Sequence, residues 1–235
     1  MFGKCNAGIG IVGGLGPETS AKFLLNVVTR VREKTGIQPH MILDNVSLPI
    51  QLEKNIILGK KSQMIFKILK QSIIRLNTMN VDIIVIPCNT VHIFFERLQR
   101  ISKVPILNII DEAILNAKNC QRIGLLATTT TVSARIYQKR AAKQKMKVIL
   151  PNKISQEQVS EIIIKILHNS ASEKDKKFLQ FVMDELLKKG AQAILLGCTD
   201  LDLLINDKSE IKIIDSTKAL EDAIVNFILK GVENG

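Results

Sequence analysis

The sequence predicts an α/β chain of two similar half-molecules, each a parallel sheet with helices on both faces. Three observations predict this. Short apolar β-type runs alternate with longer helical patterns along the whole chain, the pattern of strand–helix–strand crossovers. The runs DIIVIP (82–87) and AQAILLG (191–197) are continuously apolar, as strands buried on both faces are. The pattern also repeats. IGIVGGLGPETSAKF (9–23) lies over IGLLATTTTVSARIY (123–137) at an offset of 114, and DIIVIPCNT (82–90) lies over QAILLGCTD (192–200) at 110. LNIID (107–111) lies over IKIID (211–215) at 104. Three strand ends recurring in one order are not chance similarity of apolar segments.

The elements follow in order. IGIVG (9–13) is a strand, and 17–34 is a helix that takes Pro17 in its first turn, where the missing N–H costs nothing. Strand 41–44 precedes a helical stretch over 52–79, broken near Gly59. After strand 82–87 come a helix near 90–100, strand 106–110 and helix 112–118. The second half runs strand 122–127, helix 132–145, strand 147–150, helices 155–168 and 174–189, and strand 191–197. Strand 211–214 and a helix over 217–231 close the chain.

Composition narrows the class. At roughly 100–200 residues per domain, 235 residues allow one large or two small domains. A hydrophobic share of 46% argues against disorder. The sequence contains no apolar run near the roughly 18–20 residues of a bilayer span. The first ten residues are too short before the first strand to read as a signal peptide. Cys5, Cys88, Cys120 and Cys198 are spaced too widely for a secreted disulfide framework, so a cytoplasmic protein without membrane attachment is expected. The net charge of +11 comes from basic residues scattered over polar helix faces and turns. With no Trp and one Tyr there is little to stack on bases, and no nucleic-acid partner is expected.

Chemistry concentrates at two cysteines. PCNT (87–90) and GCTD (197–200) each place a thiol just past the carboxyl end of a buried strand, where ligands bind in parallel α/β sheets. The positive end of a following helix would lower the thiol pKa there. Asn89, Thr90 and Thr199 stand ready to cap or to bind an anion. A pseudo-twofold axis between the halves would set the two thiols across one cleft. Facing thiols suit inversion of a carbon acid: one thiolate removes a proton and a thiol on the opposite face returns one. The turns at 14–17 and 128–131 would then share a rim. Other readings are weaker. Gly8, Gly10 and Gly13 match G-x-G-x-x-G, but the first two precede or lie inside the strand. Cys88 and His92 are spaced as metal ligands without a third or fourth. Cys5 and Cys120 lie in no motif and read as inert.

GGLGPETS (13–20), PCNTVH (87–92), GLLATTTT (124–131) and LLGCTD (195–200) together make the chain resemble the cofactor-independent aspartate/glutamate racemases, from Ile9 to the final helix. The resemblance implies two Rossmann-like domains with the active site between them. These would be residues 1–111 with a returning helix in 216–235, and residues 112–215. It also implies a homodimer acting on an amino acid, aspartate or glutamate first, with no pyridoxal phosphate and no metal. Cys88 and Cys198 fall on the family's acid/base pair, and Asn89, Thr90 and Thr199 on groups that hold the α-carboxylate and amino group. Leu15 lies in the turn over the substrate, and Thr128 and Thr131 in the threonine turn of the second half. Thr130 replaces a glycine of that turn, and Asp200 a usual glutamate. Aspartate-specific members carry an arginine near Gln51 and a lysine near His168, so these two positions become candidates for the side-chain end. Sister chemistries on this fold are hydantoin racemisation and maleate-type isomerisation. A catalytically inactive carboxylate-binding protein is the reading from another class.

Overall fold

The computed structural model describes residues 7–60, 62–205 and 211–233, so Cys5 lies outside the described residues. The first half contains β1 (Ile9–Gly13), α1 (Pro17–Thr35), β2 (Met41–Asn45), α2 (Ile50–Ile57), α3 (Gln63–Leu76) and β3 (Ile83–Val85). A 3-10 turn at Thr90–Phe94 runs into α4 (Phe95–Gln99), and β4 (Ile106–Leu107) follows. Then come α5 (Ile109–Asn116), β5 (Arg122–Ala127), α6 (Thr129–Ser133), α7 (Ile136–Lys143), β6 (Lys147–Ile149), α8 (Lys153–Leu167) and α9 (Glu173–Lys188). The chain ends with β7 (Ala193–Gly197), a 3-10 turn Leu201–Leu203, β8 (Ile213–Asp215) and α10 (Ser216–Glu233).

Two parallel sheets form, in the orders β2-β1-β3-β4 and β6-β5-β7-β8. The identical order is the structural form of the sequence repeat. The central strands β1, β3 and β7 are buried along their whole length, which is why their sequences do not alternate. One apolar cluster joins the sheets, with Ile9, Ile11 and Val85 on one side and Leu125 and Leu195 on the other. Residues of α1, α5 and α10 complete it, together with Tyr137. Each fully buried side chain of this kind contributes about 1.5–3 kcal/mol, so the halves share their largest core rather than merely touching. α10 lies against α1 and α5, where Asn26 donates to Glu221 at 2.8 Å. Among the described residues no helix is long and apolar enough to cross a membrane.

Three sequence expectations change. The strand expected over 106–110 stops at Leu107, because the Asn108 side chain caps α5 by accepting from the Ile110 N–H at 2.9 Å. The helix expected over 132–145 breaks at Arg135, which takes φ 56° between α6 and α7. The third repeat pair is out of register. Val85 pairs with Leu107 and Leu195 with Ile214, so Asn108 is the counterpart of Asp215, not Asp111. Asp215 caps α10 in the same way, accepting from the Thr217 N–H at 2.7 Å. Capping chemistry is shared at the equivalent positions although the residues differ.

Candidate active site

Both strand ends that carry a cysteine lead into a 3-10 turn. Cys88 follows β3 through Ile86 and Pro87, and Cys198 follows β7 directly. The two thiols line one cavity between the sheets. The turn after β1 gives Leu15 to its wall, and the chain through α2 gives Leu48, Glu53, Ile56 and Ile57. Thr90, Val91 and Thr128 line it near the thiols, α8 contributes Ile163 and Leu167, and Asp200 follows Cys198. Water centres have about 30 Å³ in it, room for one or two waters. Grooves of about 460 and 660 Å³ lie elsewhere and contain no thiol; chemistry, not size, marks the site.

α2 forms one wall of this cavity. Ile56 belongs to the first half's outer core and Ile57 to the second's. The Thr130 hydroxyl donates to the Ile56 carbonyl, so the threonine that stands in place of a glycine ties α6 to α2. Thr130 lies inside α6 and is not among the positive-φ residues, so its side chain costs no backbone strain. Opposite, Gly14 takes φ 83°, and a Cβ there would meet the Val46 carbonyl oxygen at 2.4 Å. This turn therefore requires glycine. Gly14→Ala is expected to destabilise by ~3 kcal/mol or more, since both the conformation and the space oppose it; a thermal melt within 2 °C of the parent would refute that.

The electrostatics overturn one expectation. The Cys88 thiol is pushed up to about 12, mainly by burial, although the N–H groups of Val91 and Thr90 pull the other way. Burial, then the Asp200 charge, raises Cys198 well above the usual thiol range. The following turns are 3-10 segments of five and three residues, too short for a macrodipole to offset desolvation. Both thiols are therefore protonated at neutral pH. Asp200, which the sequence reading treated only as a departure from the family pattern, proves central. Its Oδ1 accepts from the Thr19 hydroxyl at 2.5 Å, and its Oδ2 accepts from Cys198 Sγ at 3.7 Å. Burial raises its pKa to about 6. Glu53 also lines the cavity, with its pKa raised by burial.

The other expected residues divide. Leu15, Thr90 and Thr128 line the cavity. A hydroxyl chain joins the halves there: Thr90 Oγ1 lies 3.0 Å from Thr128 Oγ1, which lies 3.0 Å from that of Thr131. Thr131 and Thr199 are buried behind this surface. Asn89 is buried too, with its amide engaged by Tyr137 and Ser216. Gln51 and His168 are exposed and do not line the cavity; Gln51 donates instead to Asn55 at 3.2 Å. Their neighbours Glu53 and Leu167 are the cavity residues. Helical spacing carries that signal: Glu53, Ile56 and Ile57 share one face, as do Ile163 and Leu167. The His92 Nδ1–H donates to the Cys88 carbonyl at 2.8 Å, and among the described residues no group of three or more His, Cys, Asp or Glu side chains is placed to hold a metal ion. Burial lowers the His92 pKa to about 4, so the ring is neutral.

Comparison with known proteins decides the family. The model of the Asp/Glu/Hydantoin racemase family matches residues 12–224. The chain belongs to that family. The broad specificity amino-acid racemase RacX of Bacillus subtilis is 27% identical to this family member over 228 residues, covering 94% of this chain and 98% of the relative. The crystal structure of an Asp/Glu racemase candidate from Yersinia pestis superposes with a TM-score of 0.83 at 25% identity, covering 95% of this chain and 99% of that one. Picrophilus torridus aspartate racemase gives 0.79 at 24% identity, covering 95% and 94%. The family member therefore shares the fold of these structures, two parallel four-stranded sheets with helices on both faces.

Proposed function

We propose that this chain is a cofactor-independent amino-acid racemase that inverts Cα between Cys88 and Cys198. The observation that carries this is the pair of thiols on one cavity, each supplied by the equivalent strand end of its half. One sulfur, as thiolate, takes the Cα proton; the other, as thiol, protonates the opposite face. Negative charge develops on the α-carboxylate as the carbanion forms. Thr90 and Thr128, both lining the cavity, donate to it there, where low polarity makes each hydrogen bond count most. Asp200 Oδ2, next to Cys198 Sγ, accepts the thiol proton when that cysteine acts as base. The substrate ammonium then offsets the charge that burial opposes.

Incubation with L-amino acids in D₂O, read by chiral separation and mass spectrometry, tests the reading. Deuterium should enter Cα with inversion, and absence of Cα deuterium from every amino acid would end it. A pH profile tests Asp200. Its carboxyl, titrating near 6, accepts a proton only when ionised, so kcat/KM should fall as pH drops through about 6. Asp200→Asn should remove that acid limb and lower the plateau by roughly 10²-fold. A parent-like profile in this variant would remove Asp200 from the proton path.

A further inference from the structure

We infer that the cavity is built for an amino acid with a cationic side chain, with Glu53 as its counter-charge, so that lysine-, ornithine- or arginine-like substrates are preferred over aspartate and glutamate. The inference rests on the racemase reading of the same cavity and names its substrate class.

The lining contains no Lys, Arg or His, but it contains two carboxyls, Glu53 and Asp200. An acidic side chain would enter a low-polarity space facing two like charges, with no cation to meet it. Asp200 is committed to Thr19 and Cys198. Glu53 is half-buried, is in none of the ion pairs among the described residues, and accepts from the Gly16 N–H. Its charge is felt at both Cys88 and Asp200, which places it within the same electrostatic site. Glu53 is therefore the carboxyl of the lining left for a substrate cation, and it takes the ammonium or guanidinium at the side-chain end. Ile56, Ile57, Ile163 and Leu167 supply apolar wall for a methylene stem. The same charge balance serves the chemistry. When Cys198 passes its proton to Asp200, Glu53 stays ionised near the new thiolate, and a substrate with a side-chain cation offsets more of that negative charge than a neutral or acidic one.

The test uses the purified full-length chain with L-lysine, L-ornithine, L-arginine, L-methionine, L-aspartate and L-glutamate in D₂O. Lysine or its basic analogues should show the highest kcat/KM, at least roughly 10²-fold above aspartate. Glu53→Gln, checked for an intact fold by circular dichroism, should lower the ratio of lysine to methionine kcat/KM by at least about tenfold, the scale of a lost hydrogen bond to a charged group. Glu53→Arg should move the ratio of aspartate to lysine upward. Fastest turnover of aspartate, glutamate or methionine overturns the inference and leaves the racemase reading standing. An unchanged lysine-to-methionine ratio in Glu53→Gln does the same. Exchange at Cα of none of the six but of another amino acid overturns the inference alone, and exchange of no amino acid removes both.

Discussion

Cys88→Ser and Cys198→Ser are each expected to lower racemisation kcat/KM by about 10²–10⁴-fold, the usual contribution of one general acid or base, while the fold survives. Serine is nearly isosteric with cysteine, but its hydroxyl is a far weaker acid, so a serine at either position holds its proton where a thiol releases it. Both sulfurs are already raised by burial, which leaves no margin for a weaker acid. The loss should be similar for the two positions, because the proposed mechanism uses each residue as acid in one direction and base in the other. Thermal midpoints should stay within a few degrees, since at this chain length each kcal/mol moves the midpoint by roughly 2–4 °C. Chiral analysis of variants matched by circular dichroism checks this. Parent-level inversion by either variant would leave the two-thiol mechanism without one of its two groups.

The strand ends were legible because burial and chemistry coincide in one short segment. DIIVIPC and AILLGC announce a strand buried on both faces and a polar residue just beyond it, and the repeat doubles the signal. Features made by tertiary contact were not legible. The resemblance points to Gln51 and His168, yet one helical face turns Glu53 toward the cavity and another turns Leu167, one or two residues away along each helix. The thiol pKa expectation failed for a similar reason. Sequence shows the turn that follows a cysteine but not how thoroughly the other half of the molecule covers it, and the cover decides the sign. The misplaced third repeat pair has a different cause. Asp111 and Asp215 are identical residues, whereas Asn108 and Asp215 are equivalent caps, and a comparison by letter prefers identity to role.

Asn89→Ala is expected to cost about 2–4 kcal/mol of stability, more than a residue that only touched substrate would. The Tyr137 hydroxyl donates to Asn89 Oδ1 at 2.5 Å, and Asn89 Nδ2 donates to Ser216 Oγ at 2.9 Å. The Ser216 hydroxyl donates in turn to the Leu196 carbonyl at 2.7 Å. The residue after Cys88 is thus tied to β7, two positions before Cys198, through the first residue of α10. Every member of the chain is buried, and Tyr137 is among the largest fully buried side chains. Truncation to alanine orphans the Tyr137 hydroxyl and leaves Ser216 without its donor, at about 1–3 kcal/mol for each buried group left unmade. At roughly 2–4 °C per kcal/mol, the thermal midpoint should fall by about 4–16 °C. Tyr137→Phe removes the donor on one side only and should cost less, and the double variant should fall short of the sum, because both remove the same bond. The activity of Asn89→Ala should fall chiefly in kcat, since the chain fixes one thiol relative to the other. A rise in KM alone, with an unchanged melt, would instead place Asn89 against the substrate, as the sequence motif suggests.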